Sequence, residues 1–284
     1  MSDIKVYYSN AENIVPSSND PATRQFYSDF LLIDRPFDAF GNLEEVQELP
    51  VDGLALHYPM TNIDSSILND AAGSAHLNMS NLEVVPGRNG GQALRFNGTD
   101  SFCISSSRIL PIEVNTFTLT FWFRTNGLYD ESNDRGMCGT FINYGAEGDS
   151  KPSYWDGTTN WQLGWNFKNL ESSGMLGFSI GGYLDPYEDE SNELLQPSHY
   201  EDGEWHFAVI TFDANYIKTY MDNVLLVNSV NVWNHLRFVD NYRLFLGGRT
   251  DLSEYCFYIG DLGEIRFYNR VLSESEIASL YIGT

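Results

Sequence analysis

The side chains best suited to chemistry lie in three polar segments that combine acidic and aromatic residues. Two are residues 128–134 (LYDESND) and 183–193, and the third is the aromatic turn at residues 154–157 (YWDG). Carboxylates bond sugar hydroxyls, and an aromatic ring covers the apolar face of a sugar. The segments therefore predict a carbohydrate-binding surface, with these ligand-binding residues: Tyr129, Tyr154, Trp155, Asp156, Tyr183 and Tyr187.

Calcium is the one cofactor that the same segments suggest. Ca²⁺ prefers carboxylate and other oxygen ligands, so acidic loops are the places where it would bind. The alternative is that the aromatic residues only pin the loops to the domain and that the acidic residues are solvated. The candidate calcium ligands are Asp130, Asp134, Asp185 and Asp189.

Residues that would support catalysis are not grouped in this sequence. The densest acidic run, residues 185–193 (DPYEDESNE), contains Pro186 and no strand alternation, so it is interpreted as a loop. His206 lies in an apolar strand-like run and is interpreted as a structural histidine. No Ser-His-Asp group, phosphate loop or dinucleotide motif stands out, so no catalytic residue is predicted and the chain is expected not to be an enzyme.

The charge of the chain excludes several classes of partner. A formal net charge of -23, with a sequence pI near 4.3, repels phosphate backbones and anionic lipid surfaces. Nucleic acid and membranes are therefore not expected as partners.

The three cysteines have no metal-ligand spacing, and nothing requires a disulfide. The first residues lack the basic start and apolar run of a signal peptide, so synthesis in a reducing cytoplasm is expected.

Alternating apolar residues predict the short strands that must position these loops. In residues 116–124, Phe117, Leu119, Phe121 and Phe123 share one face, which indicates a strand with one side in the core. Residues 204–212 are apolar on both faces, as in a central strand covered on each side. The same kind of pattern predicts strands at residues 54–58, 93–96, 160–167, 243–248 and 257–260.

Two local signals define a hairpin and the end of the domain. Asp222-Asn223 separates two strand-like runs, 217–221 and 224–227, and both residue types tolerate positive φ in a two-residue turn. After a strand at residues 262–268, Ser273 and Glu276 form a capping-box pattern that predicts a short helix. The expected buried side of this helix carries Ile277, Leu280 and Tyr281.

The first residues have a different character from the remainder of the chain. Residues 16–21 (PSSNDP) form a turn-rich break, and residues 30–40 (FLLIDRPFDAF) form an apolar patch interrupted by Pro36. We interpret residues 1–50 as an arm that packs on a partner, and residues 51–284 as one β domain. A plain extension lying on its own domain is the alternative.

Six segments together resemble the laminin-G-like or pentraxin-like concanavalin A domains. They occur in the order of that family: GQALRFNGTDSF at 91–102, FTLTFWFR at 117–124, EWHFAVITFD at 204–213, IKTYMDN at 217–223, LFLGG at 244–248 and the closing segment at 258–281. The resemblance implies an all-β fold, a two-sheet antiparallel jelly-roll sandwich with a short C-terminal helix and the N-terminal arm. It also implies a use in glycan or protein binding that is usually non-catalytic.

The sequence departs from the family pattern where relatives can bind calcium. The family often carries an acidic pair in the closing segment, and Gly263 and Glu264 occupy those positions here. Relatives that are glycosidases carry two or more carboxylates along one strand, and this sequence has no such strand. The resemblance therefore favours a binding domain without a calcium site at this position.

These observations lead to a hypothesis about the whole protein. A surface-binding fold that is made without an export signal suits a virion protein, assembled in the cytoplasm of a bacterial host. We expect a non-catalytic capsid-decoration or fibre-type module of a bacteriophage. Its arm would bind capsid or tail proteins, with a homo-oligomer as a further option. The alternatives are a free, secreted lectin that binds surface glycans and, third, a glycoside hydrolase.

Overall fold

A computed structural model describes part of the second of the two compact units into which the chain divides, Met1–Glu48 and Leu49–Thr284. The described residues are 49–63, 66–111, 113–125, 138–146, 160–166, 175–181, 196–197, 200, 202–231, 236–237, 242–248 and 257–284. The predicted arm, up to residue 48, lies outside them. Within the described ranges, no helix has the length and apolar character needed to cross a bilayer.

The described unit consists mainly of β-strands, as the alternating sequence predicts. Its elements are β1 (Leu54–Tyr58), β2 (Ile67–Leu68), β3 (Leu77–Ser80), β4 (Glu83–Pro86), a 3-10 turn (Arg88–Gly90), β5 (Gln92–Asn97), β6 (Phe102–Ser105), β7 (Glu113–Val114), β8 (Phe117–Arg124), β9 (Cys138–Ala146), β10 (Asn160–Asn166), β11 (Met175–Gly181), β12 (Gln196–Pro197), β13 (His206–Phe212), β14 (Tyr216–Met221), β15 (Val224–Val230), β16 (Leu236–Arg237), β17 (Tyr242–Leu246), β18 (Ile259–Tyr268) and α1 (Glu274–Gly283).

Sixteen of the strands form two antiparallel sheets of eight strands each, and β7 pairs with β16 in a separate two-stranded sheet. The first has the order β15-β14-β13-β8-β18-β5-β4, and β1 joins it by pairing with β18. The second has the order β12-β11-β10-β9-β17-β6-β3-β2. The non-consecutive neighbours are crossovers between sheets, and this is the predicted two-sheet antiparallel jelly roll.

The main core lies between the inner faces of the two sheets. Alternation places Phe117, Phe121 and Phe123 of β8 in this core, and all three are fully buried. From the second sheet, Tyr144 and Leu246 reach the same core. The predicted buried face of β8 is therefore confirmed, because a strand places every second side chain on the same side.

A second cluster covers part of the outer face of the first sheet. The helix α1 contributes Ile277 and Leu280, which pack with Trp122 of β8 and Phe207 of β13. Ser273 forms the predicted capping box with Glu276 at the start of α1. Both faces of β13 are therefore covered by apolar neighbours, as its apolar sequence predicts.

The turn between β14 and β15 has the predicted geometry. Asp222 and Asn223 both have positive φ, 49° and 65°, as a two-residue turn of this class requires. One prediction was wrong in detail: the strands expected at 257–260 and 262–268 are joined in the single strand β18. A bulge between Leu262 and Ile265 keeps both of these side chains in the core.

Candidate functional site

Several strands of the first sheet end together at one edge of the sandwich. Arg124, the last residue of β8, pairs with Asp261 near the start of β18, and Asp261 pairs with Arg95 of β5. Trp205 precedes His206, which pairs with Phe123, so Trp205 comes next to Arg124. We call Arg95, Asp261, Arg124 and Trp205 the arginine–tryptophan row.

The period of the strands explains why the row lies on the outer face of its sheet. Phe96, Phe123 and Leu262 point into the core between the sheets and are buried. Their neighbours in sequence therefore point the other way. Local alternation thus fixes the face, and three pairings among four strands fix the order along the row.

Asp261 is the centre of the row and binds two guanidinium groups. Its side chain is only 4% exposed, and its Oδ1 and Oδ2 accept from Nε and Nη2 of Arg95 at 2.8 and 3.2 Å. Its Oδ2 also accepts from Nε and Nη2 of Arg124 at 3.0 and 2.6 Å. The hydrogen bond to Asp261 raises the pKa of Arg95. The carboxylate of Asp261 therefore holds both guanidinium groups in place.

Trp205 extends the row with a half-buried aromatic ring. The guanidinium carbon of Arg124 lies 4.7 Å from the centroid of this ring, the arrangement of a cation–π pair. A Cβ on Gly263 would lie 3.3 Å from Cζ3 of Trp205 and 3.0 Å from Cβ of Trp122. The glycine that replaces an acidic residue of the family thus lets Trp205 lie close to β18.

A second group of polar residues, the histidine cluster, consists of Asp202, His206 and Asp222. Nδ1 of His206 lies 2.7 Å from Oδ2 of Asp222, and Nε2 lies 3.0 Å from Oδ1 of Asp202. Burial lowers the pKa of His206, but the two carboxylates outweigh this effect and raise it above its ordinary value. The cluster therefore agrees with the structural role that the sequence predicts for His206.

Glu264 occupies the second position of the acidic pair that the family often carries, and here it is engaged in ion pairs. Its Oε1 lies 2.6 Å from Nε2 of His57 and 2.8 Å from Nη2 of Arg266. Burial raises the pKa of Glu264, but the bond to His57 and the charge of Arg266 outweigh it and lower the pKa. This carboxylate therefore serves to join β1 to β18.

Asp261 and Glu264 on this face are bound to cationic groups. A general acid needs a raised carboxyl pKa, whereas those of Asp202 and Glu264 are lowered. For Asp202 the first cause is the hydrogen bond from the backbone of Glu204. Among the described residues, no three His, Cys, Asp or Glu side chains are placed to hold a metal ion. The arrangement suits recognition by hydrogen bonds and an aromatic ring.

The residues predicted from sequence as ligand-binding or calcium-binding all lie outside the described residues. They stay predictions: Tyr129, Tyr154, Trp155, Asp156, Tyr183 and Tyr187 for ligand, and Asp130, Asp134, Asp185 and Asp189 for calcium. Sequence reasoning missed the arginine–tryptophan row. The available signal was a charged residue at an outward position of an apolar strand, as with Arg95 and Arg124.

Comparison with known proteins places this geometry in a family. Residues 96–278 match the family model Laminin_G_3, described as the concanavalin A-like lectin/glucanases superfamily. No curated protein matched the sequence.

Similar solved structures support the fold. Domain 4 of AbnA, a GH43 extracellular arabinanase from Geobacillus stearothermophilus, aligns with TM-score 0.53 and 16% identity over 80% of this chain and 98% of that chain. The binding domain of Paraclostridial Mosquitocidal Protein 1 aligns with TM-score 0.57 and 17% identity over 81% and 52%. Trypanosoma rangeli sialidase aligns with TM-score 0.54 and 17% identity over 91% and 36%.

The chain therefore spans about half of the binding domain of Mosquitocidal Protein 1 and about a third of the sialidase. At these identities the similarity establishes the fold alone. The family model covers more than half of the chain, and the two-sheet jelly roll agrees with it. The chain belongs to the concanavalin A-like lectin/glucanases superfamily.

Proposed function

We propose that this chain is a non-catalytic glycan-binding module and that the arginine–tryptophan row forms part of its binding surface. The observation that carries the proposal is the placement of Trp205 beside two anchored arginines on one outer face. Carbohydrate sites combine an aromatic ring with a few fixed polar groups. The row supplies both in adjacent positions.

Exposure of the row supports a role in contact with a ligand. The side chains of Arg95 and Arg124 are 49% and 29% exposed, whereas Asp261 beneath them is buried. The ligand would therefore meet guanidinium N–H donors rather than the carboxylate. Sugar hydroxyls accept hydrogen bonds from such donors, and an ordered guanidinium loses little entropy on binding.

The state of the carboxylates supports a non-catalytic role. Glycoside hydrolysis usually needs two carboxyl groups across the scissile bond, and one of them must be protonated. On this face Asp261 is clamped by two arginines, and Glu264 is paired with His57 and Arg266. Both carboxylates are committed to ion pairs, and Glu264 is a poor proton donor because, despite its burial, His57 and Arg266 lower its pKa.

Similar structures add support of a general kind. One of them is described as the binding domain of Paraclostridial Mosquitocidal Protein 1, and the arabinanase domain is described in complex with arabinotriose. Those descriptions apply to those proteins. They make binding of a saccharide or receptor a natural use for the same fold.

A glycan array tests the proposal directly, with the full chain and two matched variants. We expect Trp205→Ala to lose binding to the preferred glycan, because the ring provides the apolar contact. Tyr216→Ala removes an aromatic side chain that is 46% exposed on β14, away from the row, and should leave binding unchanged. Equal binding by all three proteins would reject the row as a site, and turnover of a polysaccharide panel would reject the non-catalytic role.

The loops predicted from sequence require their own comparison. Binding of Trp155→Ala and Tyr187→Ala on the same array tests whether residues 154–157 and 183–193 contribute to the glycan-binding surface. Glycan binding measured with added Ca²⁺ and with a chelator tests whether Asp130, Asp134, Asp185 or Asp189 bind the ion. A glycan signal that depends on calcium would support these loops as part of one site.

The narrower proposal is that the module is displayed on a bacteriophage particle and anchored through residues 1–50. It is supported by the division of the chain into Met1–Glu48 and the unit that holds the jelly roll. Mass spectrometry of purified particles from the source should then detect the chain with capsid or tail proteins. Recovery of the chain only as a secreted, particle-free lectin would reject the virion role.

A further inference from the structure

We infer that the arginine–tryptophan row binds the oxyanion of an acidic sugar, a carboxylate or a sulfate carried by a saccharide. This inference rests on the proposed glycan-binding function and names the class of ligand. It follows from the donors, the charge and the aromatic ring of the row.

The first step concerns the hydrogen-bond donors that the row leaves available. Arg95 and Arg124 both bind Asp261 through Nε and Nη2. In the described part of the chain, no hydrogen bond or ion pair engages Nη1 of either arginine. A guanidinium binds a carboxylate or sulfate best when two N–H groups point the same way. Two such groups side by side form a receptor for an oxyanion.

The second step concerns charge. The two guanidiniums carry one more charge than Asp261 neutralises. Glu83 of β4, opposite Arg95, formally balances this excess, but it is exposed, where solvent and salt screen its charge. Asp261 is buried, so an incoming anion meets the arginines first. At about 0.1 M salt the Debye length is about 10 Å, so an anion at the row meets mainly the nearby charges and little of the distributed net charge of -23.

The third step explains why the oxyanion is carried by a sugar. Trp205 lies directly beside Arg124, with the guanidinium 4.7 Å from its ring centroid. A free inorganic anion would use the arginines alone, without contacting the exposed part of the Trp205 ring. A pyranose ring that contacts Trp205 would place an attached carboxylate or sulfate near Arg124 and Arg95.

A purely structural role is the competing explanation. In that case Arg95 and Arg124 would only connect β5, β8 and β18 through Asp261. The strands are already connected by backbone ladders, and half of the Arg95 side chain is exposed to solvent. Ligand affinity separates the two explanations, since a structural role affects stability but gives no preference for acidic sugars.

The test is an NMR titration of the full chain with three matched probes. They are methyl β-D-glucuronide, methyl β-D-glucoside and methyl β-D-glucoside 6-sulfate. We expect at least one of the acidic probes to bind about tenfold more tightly than the neutral one. The comparison between the glucuronide and the sulfate identifies which oxyanion the row prefers.

The variants are Arg95→Gln and Arg270→Gln. Arg95→Gln should remove the preference for the acidic probe and change affinity for the glucoside less than about twofold. The side chain of Arg270 is 28% exposed and pairs with Glu276 of α1, outside the row. Arg270→Gln therefore makes the same change of charge as Arg95→Gln at a site away from the row. It should retain the preference. Circular dichroism spectra of both variants confirm that they are folded.

Each outcome decides a different claim. Equal affinities for acidic and neutral probes would overturn this inference and leave the glycan-binding function standing. A preference that survives in Arg95→Gln, or that is lost equally in Arg270→Gln, would also overturn it. If neither these probes nor any glycan of the array binds, both the inference and the proposed function fail.

Discussion

At the scale of single residues, Asp261 determines the geometry of the arginine–tryptophan row. It is the buried member, and both exposed guanidiniums depend on its two oxygens. Without its charge, Arg95 and Arg124 would repel each other across β18. The same carboxylate therefore holds the strands and presents the donors.

Asp261→Asn should lower the free energy of unfolding by about 2 kcal/mol, the usual cost of losing hydrogen bonds between charged partners. Urea denaturation measures the change. Glu83→Gln, which removes an exposed carboxylate opposite Arg95, should change stability by less than about 0.5 kcal/mol. Equal stability of wild type and Asp261→Asn would contradict the role assigned to this residue.

His206 gives the domain a stability that depends on pH. Because its pKa is raised in the folded state, folding favours the protonated ring. The resulting stabilisation is fully present below about pH 6.5, the ordinary histidine pKa, and is lost as pH rises through the raised value. Asp202, with a lowered pKa, contributes above the ordinary carboxyl pKa and loses that contribution in acid.

Wild type should therefore exceed His206→Gln in stability by about 1 kcal/mol near pH 5.5, and the difference should shrink by about pH 9. Urea midpoints of both proteins across this range measure it. Asp213→Asn, in a turn with no contact to the histidine, serves as the control for general charge effects. A difference between wild type and His206→Gln that is constant with pH would refute the cluster as described.

At the scale of elements, β18 carries both ion-paired carboxylates of the outer face. Asp261 binds the two arginines of the row, and Glu264 binds His57 and Arg266. The bulge of β18 at residues 262–265 places Gly263 beneath Trp205 and Trp122. Gly263→Ala should displace Trp205, because the added Cβ would lie 3.3 Å from Cζ3 of Trp205 and 3.0 Å from Cβ of Trp122. Overpacking of this kind costs about 1–3 kcal/mol. The indole N–H signal of Trp205 in NMR spectra should shift, and an unchanged signal would show that Trp205 does not lie on Gly263.

The helix α1 packs on the outer face of the first sheet with one of its sides, and its opposite side is exposed to solvent. Leu280 is fully buried, and Ile282 is 73% exposed. Leu280→Ala should destabilise the domain by about 2–5 kcal/mol, because it leaves a cavity against β8 and β13. Ile282→Ala makes a similar truncation on the same helix and should cost less than about 0.5 kcal/mol. Thermal and urea unfolding compare them, and equal losses would mean that α1 does not pack as described.

At the scale of the whole molecule, the features that depend on near neighbours in sequence were predictable. Alternation in residues 117–123 gives the buried face of β8, and Asp222-Asn223 gives a two-residue turn. The capping box at Ser273 is equally local. The order of six such segments predicts the jelly roll, and both the family match and the sheet topology confirm it.

The arginine–tryptophan row was not predictable in the same way. Arg95, Arg124 and Asp261 come from strands far apart in sequence, and they meet only because of the order β8-β18-β5 in one sheet. The alternation gives the face of each residue but not its neighbour across strands. The predicted acidic and aromatic loops lie outside the described residues, so the site from sequence and the site from structure are separate hypotheses about one domain.

The central claim is that the chain binds glycans through the arginine–tryptophan row. The most direct test is chemical-shift mapping of the isotope-labelled full chain during titration with the best glycan of the array. The account predicts that the Nε–H signals of Arg95 and Arg124 and the indole N–H of Trp205 shift together and saturate at one affinity. Saturating shifts confined to residues outside the row, with these three signals unchanged, would contradict it.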